Sequence, residues 1–128
     1  ALGTIQLATS LIAEDPRGNL RMLTVRLTNR GYTVVSAMHG KEALDRLADT
    51  QVDLLIADIY MPEMDGITLV KHLRASEDHK TLPVIVLTAS GENEDYLSAR
   101  EAGADDVLTK PISSSELTTA VKEAIPGK

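Results

Sequence analysis

Five times along this chain a strand-length apolar run is followed by a longer segment whose apolar residues recur every three or four positions. No other feature restricts the fold as much. A run too short to make a helix, followed by an amphipathic helix, is a βα unit, and repeated units build a parallel sheet with helices on its faces. Strands are expected at residues 10–13, 33–37, 52–57, 83–87 and 106–109. The run Val84-Ile85-Val86-Leu87 has no polar alternate, which implies burial on both faces, as in a central parallel strand. Helices are expected at 16–30, 40–49, 66–76 and 92–102, and a last one opening with the capping box Ser113-x-x-Glu116. Their inward stripes are Leu20, Leu23 and Leu27; Leu44, Leu47 and Ala48; Ile67, Val70 and Leu73; and Leu117, Val121 and Ala124. Pro16 suits a first helical turn, and Gly31 and Gly103 suit helix exits.

A length of 128 residues accommodates one such domain and is short for two, so residues 10–125 are expected to form a single unit, with 1–9 and 126–128 as flexible ends or linker remnants. Tyr32, Tyr60 and Tyr96 are the only aromatic residues, and the core must be aliphatic. A formal charge of −6 without any Lys/Arg cluster argues against a nucleic-acid or anionic-membrane surface. The chain has no cysteine, hence no disulfide framework and no thiolate metal site. With neither a basic-apolar leader nor a spanning segment, the expected location is cytoplasmic.

Four polar signals fall where predicted strands end. They are Glu14-Asp15 after the first, Asp58 after the third, Thr88 after the fourth, and Lys110-Pro111 after the fifth. In an open parallel sheet ligands bind outside the carboxyl ends of the strands, so these residues converge on one place. A carboxylate cluster, a hydroxyl and an ammonium there describe a cation-assisted phosphoryl acceptor. Each signal alone has an ordinary structural reading. Glu14-Asp15 can be an acidic pair at a helix N-terminus, Asp58 and Asp65-Gly66 turn chemistry, Thr88 a strand-end hydroxyl, and Lys110 a solvated lysine. Their conjunction favours the joint reading. His39, His72 and His79 have no metal-ligand spacing and read as solvated, while Met22, Met38, Met61 and Met64 read as core or loop packing.

This motif set, with Met61-Pro62 and Met64-Asp65-Gly66 after Asp58 and Ala89 after Thr88, resembles the receiver domain of two-component response regulators, of the chemotaxis-regulator type. The resemblance implies a flavodoxin-like, doubly wound five-stranded parallel sheet in the order 2-1-3-4-5 with five helices. It also implies phosphorylation of Asp58 by a histidine kinase or histidine phosphotransfer protein, and a downstream effector protein or domain as the second partner. The expected cofactor is Mg²⁺, a hard ion suited to a few oxygen ligands. Asp15 and Asp58 would bind it directly, with the Tyr60 backbone carbonyl as a third ligand and Glu14 acting through water. Thr88 would donate to a phosphoryl oxygen and Lys110 would supply positive charge, aided by a cis bond before Pro111. Such a domain is a regulatory phosphoacceptor that catalyses its own phosphotransfer and autodephosphorylation.

Two departures from the family pattern matter. Receivers usually carry Tyr or Phe three residues before the lysine, where this chain has Val107, so the usual switch pairing of threonine and aromatic becomes Thr88 and Val107. Tyr60 and Ser90 stand at positions that in the family tune access of water to the acyl phosphate. Other classes fit less well. An FMN site needs hydroxyls and free amides where Glu14-Asp15-Pro16-Arg17-Gly18 is acidic, a haloacid-dehalogenase phosphatase needs a second acid where Tyr60 stands, and a histidine phosphotransfer module would be all helical. The remaining alternative is a pseudo-receiver, an interaction module with this fold that never takes phosphate.

Overall fold

The computed structural model describes residues 9–13, 20–59, 64–88, 93–110 and 112–124. Five βα units run in order: β1 (Thr9–Ala13), α1 (Leu20–Asn29), β2 (Thr33–Ala37), α2 (Gly40–Asp49), β3 (Leu54–Asp58), α3 (Gly66–Arg74), β4 (Val84–Thr88), α4 (Asn93–Ala102), β5 (Asp106–Thr109) and α5 (Ser114–Ala124). All strand pairs are parallel and the sheet order is β2-β1-β3-β4-β5, as the resemblance implied.

Side chains alternate across the sheet and divide the interior in two. Leu55, Ala57, Val84 and Val86 face a core shared with Ala43 and Leu47 of α2, Leu69, Val70 and Leu73 of α3, and Ala99 and Ala102 of α4. Leu54, Ile56, Ile85 and Leu87 face the other, shared with Leu23 and Leu27 of α1 and Leu117, Ala120 and Val121 of α5. β3 and β4 are buried along their whole length, which is why their sequence shows no polar alternation. The helix exits follow the glycines. Gly31 and Gly103 have φ of 91° and 118°. In each case the glycine N–H bonds three residues back and the next N–H five back, closing a Schellman motif. The expected capping box is present too: Glu116 N–H donates to Ser113 Oγ at 3.1 Å and Ser113 N–H to Glu116 Oε1 at 3.3 Å.

Several expectations need correction. β3 begins at Leu54 rather than Val52 and takes in Asp58, because Leu55 pairs with Val84 and its N–H donates to Pro83 O. Pro83 has no N–H and lies just outside β4, which extends to Thr88 instead. α3 stops at Arg74, whose side chain turns the following chain back toward the sheet. Ala48 points outward and its place in the stripe is taken by Ala43. His39 is no solvated residue: it is the N-cap of α2, its Nδ1 accepting from Glu42 N–H at 3.1 Å. Met38 is half exposed, whereas Met64 packs against the core as expected. Thr9, expected in a flexible end, is the first residue of β1 and pairs with Thr33, while residues 1–8 and 126–128, the start of the first helix and Met61 lie outside the described residues.

Candidate functional site

The parallel register delivers three polar side chains to one end of the sheet. Asp58 is the last residue of β3 and pairs with Leu87, so Thr88 is the next residue along the neighbouring strand. Thr88 pairs with Thr109, and the following N–H, that of Lys110, donates to Thr88 O at 2.7 Å. Asp58 and Thr88 are the two polar residues buried among the described side chains, at 7% and 2% exposure. Lys110 Nζ lies 2.5 Å from Asp58 Oδ2, a charge-assisted hydrogen bond between two largely enclosed side chains. A buried carboxylate with an ammonium against one of its oxygens is held in a fixed orientation. Such a group can attack an electrophile or hold a cation.

The backbone around Asp58 is held closely. Gly66 N–H donates to Ile59 O at 2.8 Å, folding the segment after β3 back onto the strand end. A Cβ at Gly66 would stand 2.3 Å from Asp58 O, so the residue must be glycine for reasons of space. Asp65 caps α3, its Oδ1 accepting from Thr68 N–H at 2.7 Å; this is the structural reading of Asp65-Gly66. On the other side, Arg26 of α1 donates through Nη1 to Ile112 O at 2.7 Å, tying that helix to the segment that leaves the site after Lys110.

Residues 10–122 match the family model described as the response regulator receiver domain. The chain belongs to this family. Among similar proteins, the transcriptional regulatory protein GlrR of Escherichia coli is 39% identical over 115 residues, 90% of this chain and 26% of that protein. A putative response regulator of Chloroflexus aurantiacus superposes with a TM-score of 0.90 at 39% identity, covering 93% of this chain and 98% of that one. The receiver domain of a sensor histidine kinase from Pseudomonas aeruginosa, described with a magnesium ion coordinated in its active-site cleft, superposes with a TM-score of 0.86 at 27% identity, covering 93% and 98%. The chain spans about a quarter to a half of the length of the curated relatives it matches. As a receiver domain it is a regulatory component of two-component signalling.

Of the expected site residues, the receiver fold brings Asp58, Thr88 and Lys110 together at the strand ends. Glu14, Asp15, Tyr60 and Pro111 lie outside the described residues, as do Ala89 and Ser90. Ala13, just before the acidic pair, is paired with Ala57, just before Asp58. Val107 is partly buried against the core under α3 and α4. Among the described residues no three His, Cys, Asp or Glu side chains form a group able to hold a metal ion, two of the expected carboxylates being outside that set. A cavity of about 640 Å³ lined by Asp49, Asp53, His79 and Pro83 opens at the amino ends of β3 and β4, the end of the sheet opposite to Asp58.

One residue of the site was missed in the sequence. Thr88 Oγ1 donates to Asp95 Oδ2, 3.4 Å away in the first turn of α4. An acid in a first helical turn reads by itself as a partner of the helix dipole, and its contact with a strand-end hydroxyl exists only in the folded chain.

Proposed function

We propose that this receiver domain accepts a phosphoryl group on Asp58 from a phosphohistidine of a histidine kinase or histidine phosphotransfer protein, and that the modification switches its affinity for an effector. The observation that carries the reading is the 2.5 Å contact of Lys110 Nζ with the buried Asp58 carboxylate, at the sheet end where Thr88 also stands. An Asp58 oxygen attacks phosphorus, the new P–O bond replaces the donor's P–N bond, and the imidazole leaves with the bonding electron pair. Alignment and charge compensation dominate such a transfer. Lys110 offsets negative charge beside the transferred group, and the Thr88 hydroxyl donates to one of its oxygens.

The donor set suits Mg²⁺: oxygen ligands only, with Asp58 enclosed at the strand end and no thiolate anywhere in the chain. Asp58, Asp15 and the Tyr60 backbone carbonyl would hold the ion, with Glu14 reaching it through water. When bound, the ion supplies charge neutralisation and fixes the direction of approach of the phosphoryl group.

Acetyl phosphate with Mg²⁺ should add one phosphoryl group, detectable by intact-mass spectrometry, and Asp58→Asn should abolish it. Stoichiometric labelling of that variant would overturn the assignment. A wild-type protein that takes no label from acetyl phosphate or from a phosphohistidine donor would be a pseudo-receiver instead.

A further inference from the structure

Thr88 follows the parity of Val84 and Val86, so its side chain leaves the sheet on the side covered by α3 and α4. There Oγ1 donates to Asp95 Oδ2 at 3.4 Å. A hydroxyl has one proton to give. The same proton cannot serve Asp95 on α4 and a phosphoryl oxygen on Asp58. The distance is beyond the usual ~2.5–3.0 Å of an O–H···O hydrogen bond, so the contact is a loose one that a shorter, charge-assisted bond can replace.

We propose that Asp95 is a positioning residue that holds the Thr88 hydroxyl toward α4, and that phosphorylation competes for this hydroxyl and releases the first turn of that helix. This rests on the phosphoacceptor reading of Asp58 and supplies the output step for it. Asp95 directly precedes Tyr96 and Leu97, the large apolar side chains that α4 leaves exposed at 46% and 57%. The hydroxyl's choice of partner is thereby coupled to the exposed surface of α4. Val107, with no ring to reorient, is not needed for this coupling.

The test is a double-mutant cycle on the whole chain, with beryllofluoride and Mg²⁺ as the phosphoryl mimic and amide chemical shifts as the readout. Asp95→Ala should tighten beryllofluoride binding by about 2- to 10-fold, the worth of one hydrogen bond. In a Thr88→Ala background the gain should vanish. Asp95→Asn, which keeps an acceptor oxygen without the charge, should fall between wild type and Asp95→Ala. In the wild type, beryllofluoride should shift the amides of residues 93–97, and in Asp95→Ala much of that shift should be present before it is added. An equal gain with and without the Thr88 hydroxyl would reduce Asp95 to simple charge repulsion and overturn the proposal, as would no gain at all. If the wild type fails to bind beryllofluoride, the phosphoacceptor reading falls and takes the proposal with it; binding without the Thr88-dependent gain overturns the proposal alone.

Discussion

Gly66 is the residue on which the geometry at Asp58 leans most directly. Its constraint is room for its neighbours, since the absent Cβ is what lets the chain pass against Asp58 O. Gly66→Ala must push the start of α3 away from the end of β3, breaking or stretching the bond from Gly66 N–H to Ile59 O. Overpacking of this kind costs about 1–3 kcal/mol. We expect a loss of that size in urea unfolding, together with weaker beryllofluoride binding, because the displaced atoms belong to Asp58 itself. Ala48→Gly serves as the contrast: it sits on the exposed face of α2. That change should cost no more than the helix propensity, about 1 kcal/mol, with the site untouched.

Between elements, Arg74 at the end of α3 makes several ties at once among the described residues. Its Nε and Nη2 donate to Gly103 O at 3.0 and 2.8 Å, Nη1 to Leu82 O at 2.8 Å, and Nη2 to Asp105 Oδ2 at 3.2 Å. Asp105 Oδ2 in turn accepts from Val84 N–H at 2.8 Å, so one guanidinium joins α3, the entry to β4 and the turn between α4 and β5. The planar fork is what meets carbonyls in several directions, and an ammonium cannot reproduce it. Arg74→Lys should therefore lower stability by about 1–3 kcal/mol in urea unfolding. Phosphorylation of Asp58 should continue, since these contacts gather at the opposite end of β4 from Thr88. Loss of labelling in a variant that remains folded would show that the two ends of the sheet are coupled.

For the molecule as a whole, the sheet separates stability from chemistry: two aliphatic cores hold the strands, and Asp58, Thr88 and Lys110 stand at their carboxyl ends. With Asp15 and Glu14 joining Asp58 as proposed, the carboxylates at one end would call for a cation. Removing Mg²⁺ with a chelator should suppress labelling of Asp58 without unfolding the protein. In Mg²⁺ titrations Asp15→Ala should lose more affinity than Glu14→Ala, because only Asp15 is proposed as a direct ligand; equal losses would reverse that assignment. The response to beryllofluoride should concentrate in the amides of residues 89–94 and the start of α4. Valine has one stiff χ1 and little area, so Val107 cannot transmit a movement of Thr88 by swinging as a ring does. Shifts as large around Val107 and α5 would contradict this.

The sequence alone determined the set of elements, because apolar periodicity is a local property that survives in one dimension: a run of four buried residues with no polar alternate announces β4, and Gly31 and Gly103 announce helix ends. It also marked Asp58 and Thr88, since a polar residue that ends an apolar run stands out against its neighbours, and Lys110 through the Lys-Pro pair that follows the last strand. Strand order was carried by the family resemblance, for periodicity does not say which strands lie side by side. Only the tertiary structure decided the contacts that join elements. The grip of Arg74 on Gly103 and Leu82 and the exclusion of a Cβ at Gly66 depend on how backbone and side chains meet after packing. The contact of Thr88 with Asp95 is of the same kind. They stand seven positions apart, one in a strand and one in a helix, and no periodic pattern relates two such positions until the helix has been laid against the sheet.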